Sequence, residues 1–132
     1  MAEPDSRVLA LERGYEAFSR GDLDQATVAF HPDIEVVRAG GQPPIKGLDR
    51  VRAWLEPDAF EQQLLEPVDF QVAGDRVLVR LNVRARGAGS GIELELDMWS
   101  VWTFDADGLA TRVEIFLIHE EADALEAAGL AS

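Results

Sequence analysis

The C-terminal part of the chain limits most strongly what it can fold into. Gly91 to Phe104 alternates apolar with acidic or polar residues, an Asp107-Gly108 turn follows, and Leu109 to Ile118 is a second β-rich run. An Asp-Gly pair between two such runs is a strong hairpin signal. Glu120 to Leu130 then opens on acids and meets a glycine at Gly129, the signature of a short helix with a defined stop. Two long strands closed by a short helix describe the open end of a curved sheet. Function then depends on which side chains face into the curve, and there the pattern is mostly apolar.

Upstream, Val8, Leu11, Tyr15 and Phe18 recur three and four residues apart, which predicts a helix from about Ser6 to Arg20, stopped by Gly21. Asp22 with Gln25 three residues on predicts a second, short helix burying Leu23, Ala26 and Phe30 and broken by His31-Pro32-Asp33. A short strand is expected from Ile34 to Arg38. After the loop Ala39 to Pro44, Leu48, Val51 and Leu55 mark a third helix ending before Pro57. Pro67 to Ala73, Val77 to Ala88, Ile92 to Phe104 and Leu109 to Ile118 read as successive antiparallel strands with turns at Gly74-Asp75, Gly87 to Gly91 and Asp105 to Gly108. Helices first and strands afterwards predict an α+β fold, with the helices on one face of the sheet.

Alternation sets the faces. Val79, Leu81, Val83 and Ala85 form one row of their strand and Arg80, Asn82, Arg84 and Arg86 the other. On the next strand Leu94, Leu96, Met98, Ser100 and Trp102 oppose Glu93, Glu95, Asp97, Trp99 and Val101. Arginines opposite Glu93, Glu95 and Asp97 suit cross-strand ion pairs on a solvated face, each worth a fraction of a kcal/mol.

The chain has 132 residues, 47% of them hydrophobic, enough for one domain, 1–132, with a real core. Its 25 acids against 12 bases leave a net charge of −13, which repels phosphate backbones and anionic lipid. Nucleic-acid and membrane partners are therefore not expected. Cysteine is absent, excluding disulfides and thiolate metal sites. The first five residues lack a basic-then-apolar leader, so a cytoplasmic location is expected.

The element order, together with Tyr15 to Asp22, Phe30-His31-Pro32-Asp33, Gly47, Val101 to Gly108 and the closing Ala124 to Leu130, resembles the SnoaL-like branch of the nuclear transport factor 2-like superfamily. The resemblance covers nearly the whole chain. It implies a cone-shaped, strongly bent antiparallel sheet with N-terminal helices packed on its concave face, a short C-terminal helix, a central pocket, and a dimer through the sheet's outer face. It does not imply one reaction.

Gly41 to Gly47 is similar to a loop of ketosteroid isomerases, whose catalytic positions carry over one at a time. Their aspartate base falls on Arg38, their neutral aspartic acid on Ser100, and their tyrosine on or beside Gly14, next to Tyr15. A guanidinium cannot take a proton from carbon, because its own pKa lies above about 12. Steroid isomerisation is therefore not expected. The Asp-Arg-Asp set of limonene epoxide hydrolases falls on Leu81, Val83 and Ile115 and is missing. The acid/base aspartate of SnoaL-type polyketide cyclases has no acidic counterpart on the inner rows.

Arg38 remains as the charge expected near the cone's mouth, where it suits a carboxylate or enolate oxygen or, alternatively, a surface salt bridge. Tyr15 and Ser100 are hydroxyls for a ligand oxygen or for nearby backbone. Phe18, Trp54, Met98, Trp102 and Leu117 suit either the wall of an apolar pocket or a plain core. Trp99, Val101, Phe116 and Ile118 fall on the outer face as an apolar group that a homodimer would cover. His31 and His119 lie far apart in sequence, so no metal site is expected, and Gly87 to Gly91 lacks the Lys-Ser/Thr of a phosphate loop. No cofactor is expected.

Three functions fit this pattern. The first is a protein binding a small hydrophobic molecule without the family's usual acid/base residues. The second is a polyketide cyclase or isomerase-like enzyme using Arg38 with Tyr15 or Ser100. The third is a non-catalytic protein-interaction module with a filled pocket.

Overall fold

The computed structural model describes residues 5–56, 60–87 and 89–130. Pro57 and Ala88, expected at the ends of a helix and a strand, lie outside the described residues. In chain order the elements are α1 (Ser6–Ser19), α2 (Leu23–Ala26), β1 (Phe30–Val37), β2 (Ile45–Lys46), α3 (Leu48–Leu55), β3 (Phe60–Ala73), β4 (Arg76–Gly87), β5 (Glu93–Phe104), β6 (Ala110–Leu117) and α4 (Glu121–Ala127).

Local chemistry explains most of these boundaries. The Asp5 carboxylate caps α1, accepting from the Arg7 backbone N–H at 2.8 Å and from the Arg7 guanidinium. The Arg7 side-chain bond, then the backbone bond, holds the Asp5 carboxyl below its usual range. Gly21 follows the helix at φ +81, a conformation only glycine adopts without strain. Asp22 caps α2 through the Gln25 N–H. At the β5–β6 turn the Asp105 carboxylate accepts from the N–H groups of Asp107 and Leu109, both at 2.9 Å, and Gly108 takes φ +82.

Two expectations change. Phe30 does not extend the second helix; it opens β1, so His31-Pro32-Asp33 lies within a strand. The register of β1 slips between Phe30 and Glu35, which accommodates a proline with no N–H to donate. Likewise β3 begins at Phe60 rather than Pro67, and its register shifts between Pro67 and Asp69.

The six strands form one curved sheet in the order β2-β1-β6-β5-β4-β3. β3 to β6 form an antiparallel meander. The sheet as a whole is mixed, because β1 runs parallel to β6, with Val36 opposite Val113. A tight turn forces its two strands antiparallel, whereas the long path from β1 to β6 leaves either direction open.

The sheet separates two apolar clusters. On the concave side Leu11 and Tyr15 of α1 and Val51 of α3 pack against Ile34, Val36, Val79, Leu81, Trp102 and Val113. On the convex side Leu78, Trp99 and Val101 pack against Ala124 and Ala128, so α4 is a lid on the outer face. Trp99 fixes the approach to α4 by donating its ring N–H to the Ile118 carbonyl at 3.1 Å.

Candidate functional site

Period-two alternation sends Met98, Ser100, Trp102 and Phe104 of β5 to the concave side, beside Leu81 and Val83 of β4 and Val113, Ile115 and Leu117 of β6. Helices α1 and α3 roof them with Tyr15, Phe18 and Trp54. Between roof and sheet lies a cavity of about 690 Å3. All five residues expected to wall a pocket, Phe18, Trp54, Met98, Trp102 and Leu117, line it. Trp54 and Leu117 are each 41% exposed and, with exposed Gln25, Val28, Gln42 and Glu56, mark its mouth. Leu94 and Leu96 continue the inner row of β5 but stand clear of the cavity near the sheet's far end, exposed to solvent.

A polar pair joins roof to sheet inside an aromatic cluster. Trp102 meets Tyr15 edge-on, ring centroids 6.0 Å apart, and Phe30 at 5.6 Å. The Trp102 ring N–H donates to the Tyr15 hydroxyl at 2.8 Å. Burial pushes the Tyr15 phenol up to about 12, against the smaller opposing effects of its hydrogen bonds with Trp102 and Ser100. At neutral pH Tyr15 therefore keeps its proton and acts as a donor rather than a base. Ser100, also buried, joins it, so two of the three sequence candidates meet in space.

The third candidate lines the same cavity from the rim. Arg38 follows β1 in extended conformation, φ −92 and ψ 151, which keeps it in phase with inward-facing Ile34 and Val36. Its Nη2 donates to the Pro43 carbonyl at 3.0 Å. Its Nε is buried with no hydrogen-bond partner, and no carboxylate lies within ion-pair distance among the described residues.

The acids nearest in sequence face away. Asp97 lies on the outer face, accepting from Asn82 at 2.8 Å and Arg80 at 3.3 Å, and these bonds, Asn82 first, hold its carboxyl below the usual range. Glu114 points outward to Arg112. Among the described residues the one acidic lining residue is Glu56, at the solvent edge. Among the described residues the cavity therefore offers one fixed cation and neutral donors, with no general base away from its rim.

Sequence reading missed Phe30 and Gln63 in this wall. The sequence pattern places Phe30 on a helix, and Gln63 lies in a part of β3 that has no clear strand signal. Pairing of Gln63 with Ala85 gives its inward phase. His31 serves the backbone, its Nδ1 accepting from the Asp33 N–H. Among the described residues no group of three His, Cys, Asp or Glu side chains is placed to hold a metal ion, and no helix is long and apolar enough to cross a membrane.

Of the four residues assigned to a dimer, Trp99 and Val101 are buried beneath α4 of the same chain, at 6% and 0% exposure. Phe116 is half-buried against the same cluster, and Ile118 is 40% exposed. The apolar group that asked for a partner copy is thus largely covered from within.

A family model described as a SnoaL-like domain matches residues 11–113. Among curated proteins none matches. A solved NTF2-like protein of unknown function from Burkholderia pseudomallei K96243 is 25% identical, with a TM-score of 0.76 over 98% of this chain and 99% of that one. TerC, co-crystallised with polyporic acid, is also 25% identical, with a TM-score of 0.73 over 92% of this chain and 99% of its own. The epoxide hydrolase/cyclase-like enzyme SalBIII, at 16% identity, shares the fold with a TM-score of 0.75 over 84% of this chain and 89% of that one.

Proposed function

The chain belongs to the SnoaL-like domain family, and from that premise we propose that it binds a small, largely apolar molecule, aromatic at least in part, in the cavity between its helices and the concave face of its sheet. The observation that carries this reading is the cavity. Protein interiors pack to the density of organic crystals and leave few voids larger than a water molecule. A space of about 690 Å3 falls within the size range of small-molecule sites, where apolar walls with a few polar groups are usual. TerC, which takes polyporic acid, supports the same class of ligand.

A cyclase or isomerase-like reading would have Arg38 stabilise an enolate oxygen while Tyr15 or Ser100 moves a proton. The binding reading is the stronger because no base lines the cavity among the described residues, apart from Glu56 at its exposed rim. The Tyr15 proton is held too tightly to leave near neutral pH, and Ser100 has no imidazole or carboxylate beside it among the lining residues. An interaction module with a filled pocket fits the open cavity less well. Covering Trp99 and Val101 requires no second copy, so the reading stands on a single chain.

Calorimetric titration with polyporic acid, estradiol and naphthol tests the proposal. Saturable binding of at least one is expected for the native protein. Ile115→Trp, which fills the cavity from β6, should abolish that binding while the circular dichroism spectrum is retained. Silence from all three ligands up to their solubility limits, or undiminished binding to the filled variant, would sink the reading.

A further inference from the structure

We propose that the cavity selects its ligand as an anion, an apolar ring system bearing one ionised oxygen group that sits against the Arg38 guanidinium at the mouth. The inference rests on the binding reading above and names the class of molecule bound.

Arginines elsewhere on the sheet set the standard of comparison. On the outer face Arg80, Arg84 and Arg86 each meet a carboxylate across the β4–β5 hairpin, Asp97, Glu95 and Glu93, at 3.3, 3.2 and 2.9 Å. Arg38 faces inward and has none among the described residues. One carbonyl occupies Nη2, and Nε is both buried and unpartnered. Buried polar groups almost always find a partner, and an orphaned donor is costly. A guanidinium cannot relieve that cost by losing its proton. It needs an acceptor, and the fork of parallel N–H groups fits the paired oxygens of a carboxylate or the adjacent oxygens of an acidic enol.

Among the described residues no acid pairs with this charge. Tyr15 is neutral at physiological pH because burial holds its proton, and Glu56 is at the exposed rim. Among the described residues the cavity therefore presents one unpaired positive charge, at its mouth, in a chain whose net charge is −13. That overall field disfavours anions. A preference for an anion over its uncharged counterpart must then come from a local cation, and among the described residues Arg38 is the one arginine or lysine lining the space.

Two matched pairs of probes separate the possible sources of the charge: naphthoate with naphthamide for a carboxylate, and lawsone, an acidic hydroxynaphthoquinone, with its methyl ether for an enolate. Titrated against the native protein at neutral pH, at least one anion should bind roughly tenfold tighter than its uncharged partner, in keeping with a charge-assisted hydrogen bond. The pair that discriminates identifies the oxygen group. Arg38→Met should erase the discrimination by weakening the anion alone, leaving the neutral probe bound as before, and Arg38→Lys should restore part of it. Circular dichroism checks that each variant folds, and discrimination by the native protein stands as a test without any variant. Equal or tighter binding of the neutral member in both pairs overturns the inference and leaves the cavity reading intact. So does discrimination that survives Arg38→Met. Failure of all four probes to bind overturns both.

Discussion

The arginines of β4 and the arginine after β1 have the same chemistry and opposite surroundings. Arg80, Arg84 and Arg86 project from the convex face, each exposed to solvent and each matched with an acid across the hairpin. Such pairs gain little, because water screens both partners and two long side chains must be held in place. Arg38 projects toward the concave side, beside hydrocarbon, with no acid to meet it among the described residues. The difference shows where this fold tolerates uncompensated charge. The outer face balances its charges residue by residue, and the inner face leaves one open at the mouth of a space large enough to hold a molecule.

The contrast predicts that changes inside cost much and changes outside cost little. Trp102→Ala removes the ring at the centre of the aromatic cluster and the donor to Tyr15, and should lower unfolding free energy by about 3–5 kcal/mol in urea titration. A loss below about 1 kcal/mol would show that the cluster does not hold the concave side together.

Next in size is an alkaline effect. The folded Tyr15 pKa, about 12, stands above the ordinary value of 10.0. The stabilisation this reflects is complete below the unfolded pKa and is lost as pH rises from there through the folded value, about 3 kcal/mol in all. Tyr15 is the chain's sole tyrosine, so tyrosinate absorbance reports it alone. Its ionisation should be delayed well beyond that of a free tyrosine, and Tyr15→Phe should lose less stability than the native protein over the same alkaline range. Ordinary titration in the native protein would place the ring in water and break the contrast.

The smallest effect belongs outside. Arg84 and Glu95 are 56% and 62% exposed, and a double-mutant cycle on Arg84→Ala and Glu95→Ala should give a coupling of about 0.5 kcal/mol or less. A coupling of 2 kcal/mol or more, by comparison with roughly 1 kcal/mol for the best exposed pairs, would make the outer ladder a structural determinant in its own right.

Much of this arrangement was legible in the chain. The β4–β5 hairpin carries its faces in plain alternation, and the row of arginines expected to face Glu93, Glu95 and Asp97 does so, with Arg86 opposite Glu93, Arg84 opposite Glu95 and Asn82 opposite Asp97. The stripe on α1 placed Leu11 and Tyr15 in the core. The first half of β3 was not legible, because Phe60-Glu61-Gln62-Gln63-Leu64-Leu65-Glu66 has no β-branched residue and no clean alternation; pairing with β4 makes it a strand. Phe30 was hidden for a related reason, since its neighbours favour a turn and only the β6 edge extends them. At the site, the sequence placed Tyr15, Ser100 and Arg38 as separate candidates, and the fold brought Tyr15 of the roof to Ser100 of the sheet and Arg38 to the mouth.

By itself, then, the sequence determined the family, the main elements and the phase of each long strand, because helix caps, turns and period-two alternation act between residues close along the chain. Tertiary structure alone decided that β1 runs parallel to β6, that α4 covers Trp99 and Val101, and that the apolar residues facing inward enclose a space instead of filling it. Those outcomes depend on how surfaces from distant segments fit together. A hydrocarbon side chain has the same place in the local pattern whether its far end meets a neighbour or an opening.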